Sequence, residues 1–109
     1  MRNSDLDIVR QILDIKHMQA AQDLAALKQK IKVSLDAAQV LKAQKEVSWE
    51  AIGSNDAKGY SLNMKFIAFI NSKQRAELER RANLQVELRI AEAHMKSLLQ
   101  ANAAINAKE

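Results

Sequence analysis

The residues best suited to bind a metal ion are two histidines in opposite halves of the chain. Asp14 lies three residues before His17, and Glu92 lies two residues before His94. Imidazole and carboxylate groups bind zinc, but helical zinc sites place two ligands four residues apart, and neither histidine has such a partner on its own helix. We therefore predict no metal site and no cofactor.

Other signs of catalysis are missing from the sequence. The chain has two glycines and no cysteine, so it contains neither a glycine-rich phosphate loop nor a thiol nucleophile. No nucleophile elbow is present, and nothing in the pattern shelters a pair of carboxylates in a pocket. We predict that the protein is not an enzyme and has no catalytic residues.

Two basic segments, KQKIK at 28–32 and ERRANLQVELR at 79–89, raise the question of nucleic-acid binding. The lysines of the first segment are two residues apart, which distributes them around a helix. Glutamates interrupt the arginines of the second segment, so no continuous basic stripe forms. We predict no specific nucleic-acid binding.

The sequence also bears on membranes and location. No stretch approaches the roughly 18 uninterrupted apolar residues of a membrane span. Asp5 and Asp7 stand where a signal peptide needs positive charge. We expect a cytoplasmic protein without membrane insertion.

The elements that position these residues are two long helices. Alanine, leucine, lysine, glutamine and glutamate dominate, and these residues favour helices. Ser4 is a predicted N-cap, and the first helix is expected at about 4–52, ending at Gly53 as a left-handed C-cap. Steps of four and three predict a packed seam through residues 6, 10, 13, 17, 20, 24, 27, 31, 34, 38, 41, 45, 48 and 52.

A second seam predicts another helix at about 62–106. It runs through residues 63, 67, 70, 74, 77, 81, 84, 88, 91, 95, 98, 102 and 105. With a turn at about 53–61 bounded by Gly53 and Gly59, the expected fold is all-α, a single antiparallel two-helix coiled-coil hairpin over 1–109. Paired residue numbers should sum to about 115, which sets Leu24, Leu27 and Ile31 against Ala91, Leu88 and Leu84 and, by the same sum, Ser34 against Arg81. Gln74, Glu77 and Arg81 then face the stretch from Ser34 to Leu41, so we expect this section to be loosely packed or water-filled. Polar seam residues can also fix the register at a cost in stability, and a merely marginal coiled coil is the alternative.

Apolar residues outside the seams form a strip in the half near the turn. On neighbouring flanks of an antiparallel pair, such a strip predicts a surface for a partner or for self-association. The strip consists of Val40, Val47, Ala51, Phe66, Phe69 and Ala76. Trp49, Met64 and Leu78 lie on the other flank.

Three features follow one another at the turn: Trp49 at the end of the first helix, a short polar turn, and then MKFIAFINS followed by KQRAELERR at 64–81. In this order the chain resembles the small coiled-coil stalk proteins of flagellar and type III secretion export, the FliJ/YscO-like family. The resemblance covers roughly residues 6–100. It implies a non-enzymatic component that couples the export ATPase ring to the export gate.

The resemblance also implies where each partner binds. The end with both termini would enter the central hole of the export ATPase hexamer, and the side near the turn would contact the export gate protein. Trp49, Phe69 and Ala76 match the gate-contacting positions, and Phe66 matches a neighbouring aromatic. The charged residues expected to face the ATPase are Arg10, Lys16, Arg89 and Lys96.

Two alternatives to the export stalk are open. One is a self-associating structural coiled coil, in which a homodimer forms a four-helix bundle. The other is a small secretion chaperone. Under the export-stalk hypothesis, the protein would lie in the cytoplasm or at the inner face of the membrane, held there by the export apparatus.

Overall fold

A computed structural model describes residues 3–53 and 56–108 of the chain. It contains two α-helices of 50 residues each, α1 at Asn3–Ile52 and α2 at Ala57–Asn106. No strand occurs in the described ranges. The two helices pack against each other, so the predicted all-α helical hairpin is confirmed.

The connection between the helices is shorter than predicted. Helix α2 begins at Ala57, five residues before the expected position 62. Asp56 caps it, because its Oδ1 accepts a hydrogen bond from the backbone N–H of Gly59 at 2.8 Å. The next backbone bond, from Tyr60 N to the Asp56 carbonyl, is already helical. Gly59 is therefore part of the first helical turn and does not bound the reversal.

The prediction of a left-handed C-cap at Gly53 is also wrong. No glycine in the described ranges has a positive φ, so Gly53 does not use the conformation that would require a glycine. A Cβ atom added there would meet no atom within 4 Å. Residues 54 and 55 of the predicted turn lie outside the described residues. At the other end, α1 begins one residue before the predicted cap, so Ser4 lies within its first turn.

The chain divides into two compact units, and both helices contribute to each. Lys30–Leu84 forms the turn unit. The flanking segments, up to Gln29 and from Gln85, form the terminal unit. Within the terminal unit, Asn3 and Leu6 line the same groove as Lys108, so the beginning of α1 lies beside the end of α2.

Burial follows the predicted seams in both units. Every seam position is buried or half-buried. In the turn unit Ile67 and Ile70 are buried, and in the terminal unit Leu6, Ala20 and Leu98 are buried. Helices of this length gain most of their stability from packing along such a face, and less from intrinsic propensity. The seam prediction is therefore confirmed.

The polar section of the seam fixes the register of the turn unit. Ser34 is fully buried, and its Oγ donates a hydrogen bond to Glu77 Oε2 at 2.7 Å. The same Oγ lies 3.5 Å from the Glu77 carbonyl oxygen. Glu77, and not Arg81, therefore stands opposite Ser34. The register estimated from the sequence was wrong by one turn of helix.

The loose or water-filled packing expected in this polar section stays a prediction. A groove of about 270 Å³ opens beside it, lined by Ala38, Gln74, Leu78 and Arg81. The Nε atom of Arg81 is buried, and in the described part of the chain it has no hydrogen-bond partner. An unmet buried donor costs stability, so this section contributes less to the fold than the isoleucine-rich seam nearer the reversal.

Candidate functional site

An apolar groove runs along one side of the turn unit, between α1 and α2. Its segment nearer the reversal has a volume of about 290 Å³ and lies between Val47 and Phe66. The next segment, of about 510 Å³, lies between Val40 and Ala76. Gln44 lines both segments, so they are adjacent. We call this feature the apolar groove; its lining residues are Ala37, Val40, Leu41, Ala43, Gln44, Val47, Ser48, Phe66, Lys73, Ala76 and Glu77.

The large side chains of the predicted apolar strip are exposed, and Val40, Val47 and Phe66 line this groove. Val47 is 65% exposed and Phe69 is 55% exposed. Each lies one residue before a seam residue, Ser48 or Ile70, and therefore about 100° around its helix from the contact between α1 and α2. Large apolar side chains exposed in a row along one groove are typical of a binding surface.

Two residues that line the groove, Phe66 and Lys73, are joined by Phe69, which lines neither segment but contacts both of them. The rings of Phe66 and Phe69 stack with centroids 6.4 Å apart and an interplanar angle of 20°. The Nζ atom of Lys73 lies 5.4 Å from the centroid of the Phe69 ring, within the range of a cation–π interaction. The structure thus brings Phe66, Phe69 and Lys73 together at successive helical turns.

The structure places the remaining predicted strip residues differently. Ala76 lines the groove, whereas Ala51 is half-buried at the end of α1. Trp49 is exposed but lines neither segment of the groove. Trp49 follows the seam residue Ser48, whereas Val47 precedes it, so Trp49 lies on the opposite flank of α1. The residues that resemble gate-contacting positions therefore do not form one continuous patch.

Sequence reasoning missed one member of the strip. Leu62 is 59% exposed and lies four and seven residues before Phe66 and Phe69, on the same flank of α2. The spacing of Leu62 from Phe66 and Phe69 could have been recognised in the sequence. The predicted turn ended at residue 61, however, which placed Leu62 at the end of a helix. The true start of α2 at Ala57 puts Leu62 within the helix.

The net charge of the chain belongs to the turn unit. Lys30–Leu84 contains ten lysines and arginines against six acidic residues, which equals the whole formal charge of +4. From residue 57 to residue 76, α2 has four basic residues and no acidic one. The turn unit therefore presents a positive potential to an approaching partner.

The charged residues predicted to face an ATPase all belong to the terminal unit. Lys16, Arg89 and Lys96 are exposed. Arg89 Nε donates to the Gln85 carbonyl at 3.4 Å. Arg10 differs from the other three, because it lies in the seam, half-buried, with its Nη1 atom 3.6 Å from Asp7 Oδ1. Three of the four are thus free to meet solvent, and Arg10 has a structural role.

A second exposed apolar row, which the sequence reasoning also missed, lies in the terminal unit. Ile8, Ile12 and Ile15 are exposed on α1 at steps of four and three. On α2 of this unit Ile90 is 65% exposed. The spacing of these isoleucines was a readable signal, but it lay outside the seam and outside the turn half.

His17 and His94 both belong to the terminal unit. His17 is half-buried in the seam, and His94 is exposed on α2. In the ranges that the structure describes, no group of three or more histidine, aspartate or glutamate side chains could hold a metal ion.

Comparison with known proteins gives no match: no protein family, no curated protein and no solved structure is significantly similar to the chain. Neither described helix has a segment that is long and apolar enough to cross a membrane.

Proposed function

We propose that the protein is a non-enzymatic helical-hairpin adaptor that binds a partner protein through the apolar groove. The observation that carries this proposal is the set of exposed Val40, Val47 and Phe66 side chains that line one groove, with the exposed Phe69 ring stacked on Phe66. Exposed apolar side chains of this size contribute binding free energy when a partner removes them from water, and aromatic residues contribute the most.

The resemblance to export stalk proteins supplies the finer form of the proposal. The partner of the groove is the export gate protein, and the partner of the terminal unit is the export ATPase hexamer. The protein couples the two without catalysis. It acts in the cytoplasm, at the inner face of the membrane through its contact with the export apparatus.

The two contacts differ in their physical basis. Apolar and aromatic side chains line the groove, whereas the residues proposed to meet the ATPase, Lys16, Arg89 and Lys96, are exposed charges of the terminal unit. Exposed charges act mainly by steering encounter, and added salt weakens them. Apolar contacts respond little to salt. The gate contact should therefore be the less salt-sensitive of the two.

A second candidate function is self-association into a structural coiled coil. The exposed row of Ile8, Ile12 and Ile15 favours it, because a second copy could cover this row in a four-helix arrangement. In that case the terminal unit would mediate dimerisation.

The test of the proposed function is a pair of binding assays with purified gate protein and purified ATPase hexamer. Phe69→Ala should weaken binding to the gate by about tenfold or more and leave binding to the ATPase unchanged. Lys96→Glu should do the opposite, and its effect should shrink with added salt. Circular dichroism should show unchanged helicity in both variants, since neither residue lies in the seam.

Two results would contradict the proposal. One is a loss of both contacts in either variant without loss of helicity. The other is a protein that binds neither partner at low salt and sediments as a dimer that Ile12→Asp dissociates, which would favour the self-associating coiled coil.

A further inference from the structure

We propose that the groove binds a single amphipathic α-helix of its partner, which lies lengthwise between α1 and α2 and directs an acidic edge toward α2. This inference rests on the proposed function, in which the groove binds a partner protein, and it specifies the chemistry of the bound element. Binding would convert the two-helix turn unit into a three-helix section, a mode in which the apolar face of a helix fills a hydrophobic groove.

The shape of the groove fits a helix. Its walls are large side chains, Val40 and Val47 on α1 and Phe66 on α2, while Ala37, Ala43 and Ala76 leave room between them. Small residues between large ones form a concave channel that receives the side-chain ridge of another helix. From Val33 to Ala51 the apolar flank of α1 spans about 27 Å, the length of a helix of about 18 residues.

Lys73 supplies the central charge requirement. It lines the groove and lies over the Phe69 ring, and it forms no ion pair within residues 3–53 and 56–108. The carboxylate that lines the groove is engaged elsewhere, because Glu77 accepts the Ser34 hydrogen bond and lies 3.8 Å from Arg80 Nη1. Covering the groove with an uncharged helix would take an unpaired ammonium group out of water at a large cost. A carboxylate on the bound helix removes that cost.

The charged residues along the two outer borders of the groove, here called its margins, determine which edge of the bound helix is acidic. On α2, Lys58 and Lys65 each precede an exposed strip residue, Leu62 and Phe69, by one helical turn. On α1, the corresponding outer positions near Val40 and Val47 are Asp36 and Glu50. The α2 margin is therefore basic and the α1 margin acidic. A bound helix with acidic residues toward α2 is complementary to both.

A second copy of this chain fits the groove less well. Each copy has the same net charge of +4 in its turn unit and the same lysine in its groove. If two copies associated through their grooves, like charges would face each other and two unpaired ammonium groups would be buried. Both effects disfavour association.

The experiment compares two synthetic peptides of about 18 residues, both with leucine at i, i+3, i+4 and i+7. One has glutamate beside the leucine face, and the other has lysine there. Fluorescence anisotropy with the full chain should give at least tenfold tighter binding of the acidic peptide. Phe69→Ala should weaken that binding by about tenfold.

Two variants with opposite changes of charge test whether the acidic edge of the bound helix faces α2. Lys65→Glu should weaken binding of the acidic peptide by about two- to fivefold, and Glu50→Lys should strengthen it by a similar factor. Lys28→Glu changes the net charge equally but lies in the terminal unit, so it should have a smaller effect than Lys65→Glu. Equal effects of Lys28→Glu and Lys65→Glu would overturn the assignment, because they would reflect net charge alone.

Other outcomes also overturn the inference. These are equal affinity for the two peptides, binding of neither, and a concentration-dependent dimer in ultracentrifugation that Phe69→Ala abolishes. Lys65-dependent sedimentation with phosphatidylserine vesicles in the absence of peptide binding would assign the groove to a membrane surface instead.

The gate-binding assay separates this inference from the proposed function. Retention of gate protein by the wild type but not by Phe69→Ala, with no preference for the acidic peptide, would overturn the inference and keep the function. A strong preference for the acidic peptide without retention of the gate would do the reverse.

Discussion

Replacing Ser34 by alanine removes a hydrogen bond that links the two helices across the polar seam. Ser34 is fully buried, with 0% of its surface exposed, and its hydroxyl donates to Glu77 Oε2 at 2.7 Å. Ser48 offers a matched control, because it is also buried in the seam of α1, fourteen residues further along. Within the described ranges the Ser48 side chain makes no hydrogen bond to another residue.

The expected magnitude follows from two opposing terms. A hydrogen bond to a charged group contributes about 1.5–3 kcal/mol. Glu77 is 20% exposed and can regain some hydration, which favours the lower end of that range. Alanine is the better helix former by about 0.5 kcal/mol. Ser34→Ala should therefore lower the free energy of unfolding by about 1 kcal/mol, while Ser48→Ala should raise it by about 0.5 kcal/mol.

Urea unfolding followed by circular dichroism at 222 nm measures both changes. The difference between the two variants, about 1.5 kcal/mol, reports the hydrogen bond because helix propensity cancels. In a Glu77→Leu background, Ser34→Ala should no longer destabilise, since the hydroxyl has lost its acceptor. Equal stabilities of Ser34→Ala and Ser48→Ala in the wild-type background would refute the register derived from this contact.

Two further predictions concern other polar groups of the turn unit. Asp56→Ala should lower the free energy of unfolding by about 1 kcal/mol, because it removes the cap on the Gly59 N–H, while Asp56→Ser should retain most of it; equal losses in the two variants would contradict the cap. Arg81→Leu should raise the thermal midpoint, because it replaces a buried, unpaired Nε with apolar surface in the seam. Exposed Arg75→Leu is its control, and a lower midpoint for Arg81→Leu would show that the guanidinium stabilises the seam.

Much of the fold could be predicted from the sequence because the seam depends on spacing alone. Apolar residues at steps of four and three must lie on one face of a helix, and every predicted seam position is at least half-buried. The strip was predictable for the same reason. Val40, Val47, Phe66 and Phe69 lie off that face, so the hairpin leaves them exposed.

The register and the start of α2 required side-chain geometry. Several registers keep the same residues in the seam, and the choice among them depends on which polar side chains meet, here Ser34 and Glu77. A glycine within a helix costs about 1 kcal/mol, which made Gly59 a plausible boundary. Asp56 outweighs that cost by capping the Gly59 N–H, and an aspartate three residues before the glycine was a readable signal.

Site-specific photo-crosslinking tests the central claim, that the apolar groove is the surface that meets the export gate. Benzoylphenylalanine placed at Val47 or at Ile90 probes two positions that are both 65% exposed, one beside the groove and one in the terminal unit. In a mixture of the full chain, the gate protein and the ATPase hexamer, we predict a crosslink from position 47 to the gate protein and none to it from position 90. A crosslink from position 47 only to a second copy of the chain, or equal crosslinking to the gate from both positions, would contradict the claim.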